Sequence, residues 1–289
     1  MQEIVVLSGK GGTGKTSITA ALATIGKNLL AVDCDVDAAN LYLLLNPQNY
    51  REEKYTSGKT AFVHADVCTV CGKCVDACRF EAIRYFNDSI EVQETACEGC
   101  QLCAAICPAH AIEMIPRDKS RWYEATYNNG YMVYARLFPG EENSGKLVSV
   151  IREKAKALAQ KHQLDTILLD GPPGVGCPVI SSVTGTQKVL IVTEPSVSAF
   201  HDLKRIVDLT KNFKVKRYVV INKYDISIAL SNRIEAWCVE QQIPVVSKLP
   251  FDKELVEAMI QCKSIVEFNP LSEYSSKMQV VFNALLKDE

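Results

Sequence analysis

An eight-residue loop near the start of the chain constrains the fold more than any other feature. Residues 9–16 read Gly-Lys-Gly-Gly-Thr-Gly-Lys-Thr and come directly after the apolar run at 4–7. This spacing fits the pattern G-x-x-x-x-G-K-[ST]. In that pattern a loop between a strand and a helix surrounds phosphate oxygens with its backbone N–H groups. The start of that helix adds its positive end to the same place. The sequence therefore predicts a phosphate-binding loop made of Gly9, Lys10, Gly11, Gly12, Thr13, Gly14, Lys15, Thr16 and Ser17, with Lys15 on the outer phosphates and Thr16 on magnesium.

Lys10, a second lysine just after the first glycine, is not needed by an ordinary phosphate-binding loop. With it the loop resembles the deviant Walker A motif of the MinD/ParA/Mrp-type ATPases, relatives of the nitrogenase iron protein. The resemblance implies a homodimer in which Lys10 crosses the interface to the partner's nucleotide. It also implies catalytic roles for Lys10 and Lys15.

Composition and charge limit the classes of function. The 289 residues suffice for one large α/β domain and a small module, and the net charge of −2 gives no electrostatic case for a nucleic-acid partner. Residues 1–7 lead straight into a strand, and no apolar run approaches the roughly 20 residues of a membrane helix. We therefore expect a cytoplasmic protein that does not bind membranes. In such a chain, twelve cysteines favour metals or clusters over disulfides.

Alternating acids follow the second apolar run, at 29–32, in the order Asp33-Cys34-Asp35-Val36-Asp37. At the carboxyl end of a parallel strand, such acids can hold water around magnesium and orient an attacking water. The stretch resembles the switch I segment of MinD-type ATPases. That resemblance places Asp33 in the magnesium shell and makes Asp35 the catalytic candidate, whereas Asp37 has no match and is expected to be solvated or to cap a helix.

A further apolar run, at 166–169, ends in Asp170-Gly171-Pro172-Pro173-Gly174. It resembles Walker B and switch II, which implies that Asp170 holds magnesium through water. Cys177 stands seven residues after Asp170. This spacing resembles that of the cluster-ligating cysteine after switch II in the nitrogenase iron protein. The second cysteine of that site has no clear counterpart here, so a bridging cluster and an ordinary thiol both stay open.

Two matching cysteine runs dominate the middle of the chain. Each follows C-x2-C-x2-C-x3-C, a spacing in which three thiolates hold one 4Fe-4S cluster and the fourth reaches the other cluster. The stretch resembles bacterial two-cluster ferredoxins, except that Arg79 stands where those usually have proline; zinc sites built from C-x2-C pairs are the alternative. We predict one cluster on Cys68, Cys71, Cys74 and Cys107, and a second on Cys97, Cys100, Cys103 and Cys78.

The identity of the nucleotide base depends on residues after the later strands, predicted at 189–192, 218–221 and 245–249. Asn222-Lys223-Tyr224-Asp225 satisfies N-K-x-D, by which GTPases bind guanine through the aspartate. The resemblance of the loop argues against GTP. It implies relatives that use ATP and that contact adenine with an asparagine at the position of Asn222. We therefore favour ATP, and assign Asn222, Pro250 and Asp252 to its site.

These features predict an α/β fold: a doubly wound, mostly parallel sheet of the P-loop NTPase type with an inserted small α+β ferredoxin-like module. The predicted parts are a first ATPase part at 1–60, the ferredoxin insertion at 61–116 and a second ATPase part at 117–289, with a linker at 47–59 and a hairpin at 122–136. The expected cofactors are ATP, Mg²⁺ and two 4Fe-4S clusters.

Two functions follow from the resemblance. In the first, ATP binding and hydrolysis by a dimer gate electron transfer to a redox partner. In the second, the chain is an assembly or carrier ATPase that hands clusters to an accepting protein. Eight cysteines in two full sets favour the first, because fully ligated clusters are suited to pass electrons. A MinD-like positioning protein leaves these cysteines unexplained.

Overall fold

The computed structural model describes residues 1–56, 58–141 and 143–286. They divide into two compact units. Unit 1 comprises Met1–Glu52, Trp122–Ala135 and Ser144–Glu289, and unit 2 comprises Glu53–Arg121 and Arg136–Asn143, so the predicted module at 61–116 lies within unit 2. Among the described residues, no helix has both the length and the apolar character that crossing a membrane requires.

The strands, in chain order, are β1 (Gln2–Ser8), β2 (Leu29–Asp33), β3 (Gln48–Tyr55), β4 (Lys59–Val63), β5 (Ile83–Phe86), β6 (Ser89–Val92), β7 (Ile112–Pro116), β8 (Ser120–Tyr127), β9 (Gly130–Arg136), β10 (Thr166–Pro173), β11 (Lys188–Thr193), β12 (Lys216–Asn222) and β13 (Val245–Leu249). The helices are α1 (Lys15–Ile25), α2 (Leu41–Leu45), α3 (Lys73–Ala77), α4 (Leu102–Ile106), α5 (Ser144–Lys161), α6 (Cys177–Val183), α7 (Val197–Thr210), α8 (Ile228–Glu240), α9 (Glu254–Ile260), α10 (Ile265–Phe268) and α11 (Glu273–Leu286).

The main sheet has nine strands in the order β13-β12-β11-β1-β10-β2-β9-β8-β3. From β13 to β9 every neighbouring pair is parallel. Strands β1, β2, β10 and β11 are buried almost throughout, because helices cover both faces of a parallel sheet. The predicted fold class, a doubly wound and mostly parallel sheet, is confirmed.

The predicted linker at 47–59 is largely strand β3, and this prediction was wrong for the residues from Gln48 to Tyr55. Its sequence is polar, and most of its side chains are exposed. Because β3 is the last strand in the order, its outer edge needs no apolar partner, so polar residues are tolerated there. Ser57, in the same predicted linker, lies outside the described residues.

Unit 2 contains two small antiparallel sheets, β4 with β7 and β5 with β6. The short helices α3 and α4 each carry one of the predicted cluster ligands, Cys74 and Cys103. Its buried apolar cluster is small, with Ala61, Ala82, Cys97 and Ile112 at the centre. So small a core gives little stability by itself, which makes additional cross-links or cofactors important for folding.

Candidate functional site

The phosphate-binding loop lies between β1 and α1, as the motif requires. Gly14 is the residue before α1 and has a left-handed backbone, with φ 91°. A Cβ added there would lie 2.3 Å from the Asn222 Nδ2 atom, and Asn222 donates to the Thr13 carbonyl at 2.8 Å. The loop conformation therefore needs glycine at position 14, both for its backbone angle and for the approach of Asn222.

We expect Gly14→Ala to destabilise unit 1 more than an ordinary glycine substitution does. Gly185 is a matched control, because its φ is 79° but nothing lies within 4 Å of its added Cβ. Gly185→Ala should cost about 1–2 kcal/mol for the left-handed backbone alone. Gly14→Ala should cost about 1–3 kcal/mol more, from overpacking against Asn222. Urea unfolding of both variants measures the difference, and equal losses would contradict the close approach of Asn222.

A cavity of about 530 Å³ opens in front of this loop. The Thr13 hydroxyl is buried nearby without a hydrogen-bond partner among the described residues, as expected of a group awaiting a ligand oxygen. Gly9 and Lys10 do not line the cavity. The predicted site residues that do are Gly11, Gly12, Thr13, Gly14, Lys15, Thr16, Ser17, Asp35, Asn222, Pro250 and Asp252.

At the base of the loop, Asp170 collects three side chains of α1. Lys15 Nζ lies 2.9 Å from its Oδ1 atom, and the Thr16 and Thr19 hydroxyls donate to its two oxygens at 2.8 Å each. Burial by itself disfavours the charged lysine, but the charge and hydrogen bond of Asp170, together with the charges of Asp33 and Asp35, raise the pKa of Lys15 overall. Thr16 and Asp170, two of the predicted magnesium residues, are thus adjacent. Sequence reasoning missed Thr19.

Asp33, the third predicted magnesium residue, is fully buried. Its carboxylate accepts from the backbone N–H groups of Asp35, Asn40 and Leu41 at 3.0–3.1 Å. Burial and the neighbouring Asp170 carboxylate nevertheless raise its pKa, because both disfavour a second negative charge there. Within the described chain, no three or more His, Cys, Asp or Glu side chains form a site for a single metal ion.

Lys10 turns back onto its own subunit. Its Nζ atom lies 2.7 Å from Glu194 Oε1 and donates to the Ser196 and Ser198 hydroxyls. Lys223 binds the other oxygen of Glu194 at 3.0 Å, and the two lysines hold the pKa of Glu194 below its usual value against the effect of burial. Sequence reasoning gave Glu194 no role; its position at the carboxyl end of β11 was the only indication.

The residues after β12 secure the loop. Besides the bond from Asn222 to Thr13, Lys223 Nζ donates to the Gly12 carbonyl at 2.9 Å. The last residue of the N-K-x-D pattern, Asp225, accepts from the backbone N–H of Phe251 at 2.7 Å and does not line the cavity. Pro250 and Asp252 do line it. The Asp225 carboxylate is therefore committed to a backbone contact.

The eight cysteines of unit 2 line two separate cavities. One, a space of only about 10 Å³, is lined by Cys68, Cys71, Cys74 and Cys107. The other, of about 460 Å³, contains Cys78, Cys97, Cys100 and Cys103. This division matches the crossed assignment from the sequence, although ligation itself stays a prediction. Outside unit 2, Cys177 is an exposed thiol at the start of α6.

Hydrogen-bond donors surround three of these thiols, whereas burial raises the pKa of Cys74 and Cys103. The Cys68 and Cys107 sulfurs accept from the backbone N–H groups of Val70 and Ala111 at 3.4 and 3.3 Å. Burial alone would raise the pKa of Cys97, but the N–H groups of Ala61 and Gly99 and the Thr60 hydroxyl lower it overall. Donors of this kind are among the features that set cluster potentials.

Comparison with known proteins agrees with this geometry. Residues 4–265 match the CobQ/CobB/MinD/ParA nucleotide binding domain. The chain belongs to this family. An uncharacterized protein of Methanocaldococcus jannaschii is 36% identical over 226 residues, which cover 77% of this chain and 78% of that protein. The septum site-determining protein MinD of Bacillus subtilis is 27% identical over 228 residues, 76% of this chain and 64% of MinD.

Among solved structures, MinD of Pyrococcus horikoshii in complex with Mg-ADP has a TM-score of 0.61. It is 21% identical, and the match covers 99% of this chain and 96% of that one. At this identity the likeness concerns the fold. The resemblance to MinD/ParA-type P-loop ATPases is therefore confirmed at the level of family and fold, whereas a relation to the nitrogenase iron protein stays a prediction.

Proposed function

We propose that the protein is a Mg²⁺-dependent ATPase whose nucleotide state controls electron transfer through two 4Fe-4S clusters to a redox partner. The observation that carries the redox part is the division of eight cysteines into two cavities, four in each. In a cubane cluster each thiolate binds a different iron atom, so its four ligands stand farther apart than around one ion. A lack of single-ion sites in the described residues is compatible with this arrangement.

ATP fits the nucleotide cavity better than GTP. Guanine recognition by N-K-x-D needs a free aspartate, but Asp225 binds the Phe251 N–H and does not line the cavity. Asn222, Pro250 and Asp252 line the cavity and supply polar groups for a base. Family membership supports nucleotide binding as such.

The chain's own groups divide the work of hydrolysis. Lys15 would bind the outer phosphates, and Thr16, Asp33 and Asp170 would hold Mg²⁺, which supplies positive charge to the phosphate oxygens. Asp35 lines the cavity, and burial raises its pKa, which favours a role in accepting a proton from water. Lys10 would serve a second subunit after leaving Glu194.

Unit 1 also offers a link between the nucleotide cavity and the strands that lead to unit 2. Tyr42 on α2 follows Asn40 and Leu41, whose N–H groups bind Asp33. Its ring stacks on Tyr134 at 5.1 Å, and Tyr134 stacks on Tyr123 at 4.6 Å. Tyr123 and Tyr134 lie on β8 and β9, whose ends continue into unit 2. A movement around Asp33 on phosphate release would reach these strands.

We expect the cluster potentials to depend on the nucleotide. Redox titration with EPR detection should give different midpoints without nucleotide, with ADP and with a non-hydrolysable ATP analogue. By reciprocity, reduction should change ATP affinity by the same factor, within the usual range of roughly 5- to 150-fold. A tenfold factor corresponds to a shift of about 59 mV for one electron. Lys15→Ala is the control. At a nucleotide concentration too low to saturate this variant, its midpoints should be the same with and without nucleotide.

Identical midpoints in all three states, together with unchanged affinity on reduction, would reject redox coupling. A second candidate function is a MinD-type nucleotide switch without redox chemistry, favoured by the comparisons. Anaerobic purification with fewer than one cluster per chain would support it. Transfer of iron and sulfide to an apo-ferredoxin would instead support the carrier alternative. For the redox proposal we expect a homodimer in the cytoplasm that binds neither nucleic acid nor membrane.

A further inference from the structure

Arg117 in unit 2 is a buried cation without an anionic partner. The residue is only 4% exposed to solvent. Nη1 and Nη2 donate to the backbone carbonyls of Gly140 and Glu94 at 2.5 and 3.2 Å, and Nε has no partner among the described residues. No carboxylate in the described part of the chain forms an ion pair with it. Arginine stays charged in proteins, so this guanidinium is a buried positive charge that no carboxylate of the described residues contacts directly; the nearest buried carboxylate, Glu141, is hydrogen-bonded to the Lys119 N–H and the Ser120 hydroxyl.

A charge in such a place is costly unless an anion lies nearby. The Glu94 carbonyl that accepts from Arg117 Nη2 also accepts from the backbone N–H of Cys97, at 3.3 Å. Cys97 lies in the cavity that also contains Cys78, Cys100 and Cys103. A 4Fe-4S cluster with four thiolates carries net negative charge, which increases on reduction. Such a cluster would provide the anion that Arg117 lacks.

Thr60 is a second donor at the same thiol. It is 3% exposed, and among the described residues its hydroxyl approaches the Cys97 sulfur, outside ideal hydrogen-bond geometry. Gly99 keeps the two segments close, because a Cβ there would lie 2.4 Å from the Lys59 carbonyl. The Thr60 hydroxyl and the Arg117 guanidinium, whose Nε has no partner among the described residues, thus both lie next to the segment that carries Cys97.

The other cavity is built differently. The Cys68 and Cys107 sulfurs accept backbone N–H groups, and the cation that acts on Cys71 is Lys73, which is exposed to solvent. Water screens an exposed charge far more than a buried one. The two sites therefore differ in the positive charge that they present to a cluster.

We propose that Arg117 and Thr60 are positioning residues that stabilise the reduced form of the cluster held by Cys97, Cys100, Cys103 and Cys78, and make it the higher-potential cluster of the two. This rests on the proposed function, since it requires both clusters to bind. Reduction adds one electron from a low-potential one-electron donor, with no bond made or broken. A buried positive charge favours that added electron, so electrons come to rest on this cluster.

The test is a dithionite titration with EPR detection, with the two midpoints assigned by Cys71→Ser and Cys100→Ser. We expect Arg117→Gln to lower the midpoint potential of the Cys97 cluster by at least about 59 mV. For one electron, that shift is a tenfold fall in the reduced-to-oxidised ratio at a fixed potential. Arg117→Lys should restore most of it. Thr60→Val should lower the same midpoint by less, and Thr60→Ser should not. Lys73→Gln, which removes the exposed cation of the other site, is the matched control and should shift either midpoint by under threefold.

Each outcome is decisive. A Cys97-cluster midpoint that is unchanged in Arg117→Gln, or that falls equally in Arg117→Lys, overturns the proposal while leaving the redox function intact. Should Arg117→Gln lose that cluster, the Thr60→Val midpoint decides alone, and no shift there rejects the idea. A wild-type protein that binds no clusters would instead refute the proposed function itself.

Discussion

Lys10→Ala is expected to bind nucleotide as a monomer with nearly wild-type affinity, yet to lose ATP-dependent dimerisation and hydrolysis. Lys10 does not line the nucleotide cavity of its own subunit, so its removal takes no contact from that site. Its contact with Glu194 is partly exposed, with the lysine side chain 33% accessible. Partly exposed ion pairs contribute at most about 1 kcal/mol to stability. Lys10 can therefore leave Glu194 and reach a second subunit at little cost in free energy.

Lys15→Ala should behave in the opposite way, losing nucleotide affinity directly. Lys15 lines the cavity and is buried against Asp170. Loss of a charge-assisted phosphate contact costs about 1.5–3 kcal/mol, which is roughly a 10- to 150-fold weaker affinity. Calorimetry measures the affinity, and sedimentation with a non-hydrolysable analogue measures dimerisation.

Lys211→Ala is the control for both substitutions. It removes an exposed lysine that directly follows α7. The Nζ atom of this lysine lies 2.8 Å from Oδ1 of Asp208, which is on that helix. Dimerisation and hydrolysis should be unchanged. A Lys10→Ala protein that still dimerises and hydrolyses ATP at the wild-type rate would end the two-subunit mechanism, whatever happens in Lys15→Ala.

Cys107→Ser is expected to disrupt the cluster of the first cysteine run, and Cys78→Ser the cluster of the second. The reason is that Cys107 lines the cavity with Cys68, Cys71 and Cys74, whereas Cys78 lines the cavity with Cys97, Cys100 and Cys103. In each variant, iron should fall from about eight atoms per chain towards about four, and a different EPR signal should be altered. The small core of unit 2 means that its thermal stability should fall as well.

Cys262→Ser is the matched control, because Cys262 is an exposed thiol in unit 1 and lines neither cysteine cavity. It should retain all of the iron. Loss from each variant of the cluster nearest in sequence would contradict the crossed assignment. One or two zinc ions per chain in place of iron would support the zinc alternative.

Much of the nucleotide site was predictable because its information is local. A glycine-rich loop between an apolar strand and a helix has one well-known geometry, so the spacing of residues 9–16 is enough to place them. Parallel strands bring their carboxyl ends to one edge, which is why Asp33 and Asp170, 137 positions apart, could be expected together; their strands are neighbours. The cysteine spacing was equally informative, although ligation is still to be tested.

Other features depended on the tertiary structure. The polar segment at Gln48–Tyr55 is a strand because it lies at a sheet edge, and no periodicity in its sequence indicates that position. Likewise, Asp225 matches a guanine-binding pattern, but its carboxylate is taken by the Phe251 backbone, a contact that depends on how β12 and β13 align.

The sequence by itself determined the nucleotide loop and the mostly parallel sheet, because a short glycine-rich spacing and short apolar runs specify them. The crossed cysteine assignment was also drawn from spacing, and it stays a prediction. Only the tertiary structure decided that Glu194 holds Lys10 and that Arg117 is buried without an anion. A single lysine, glutamate or arginine has many possible partners, and its neighbours lie far away in the chain. Which charges meet, and how much water surrounds them, is determined by the packing of separate segments, and that packing sets the strength of their interaction.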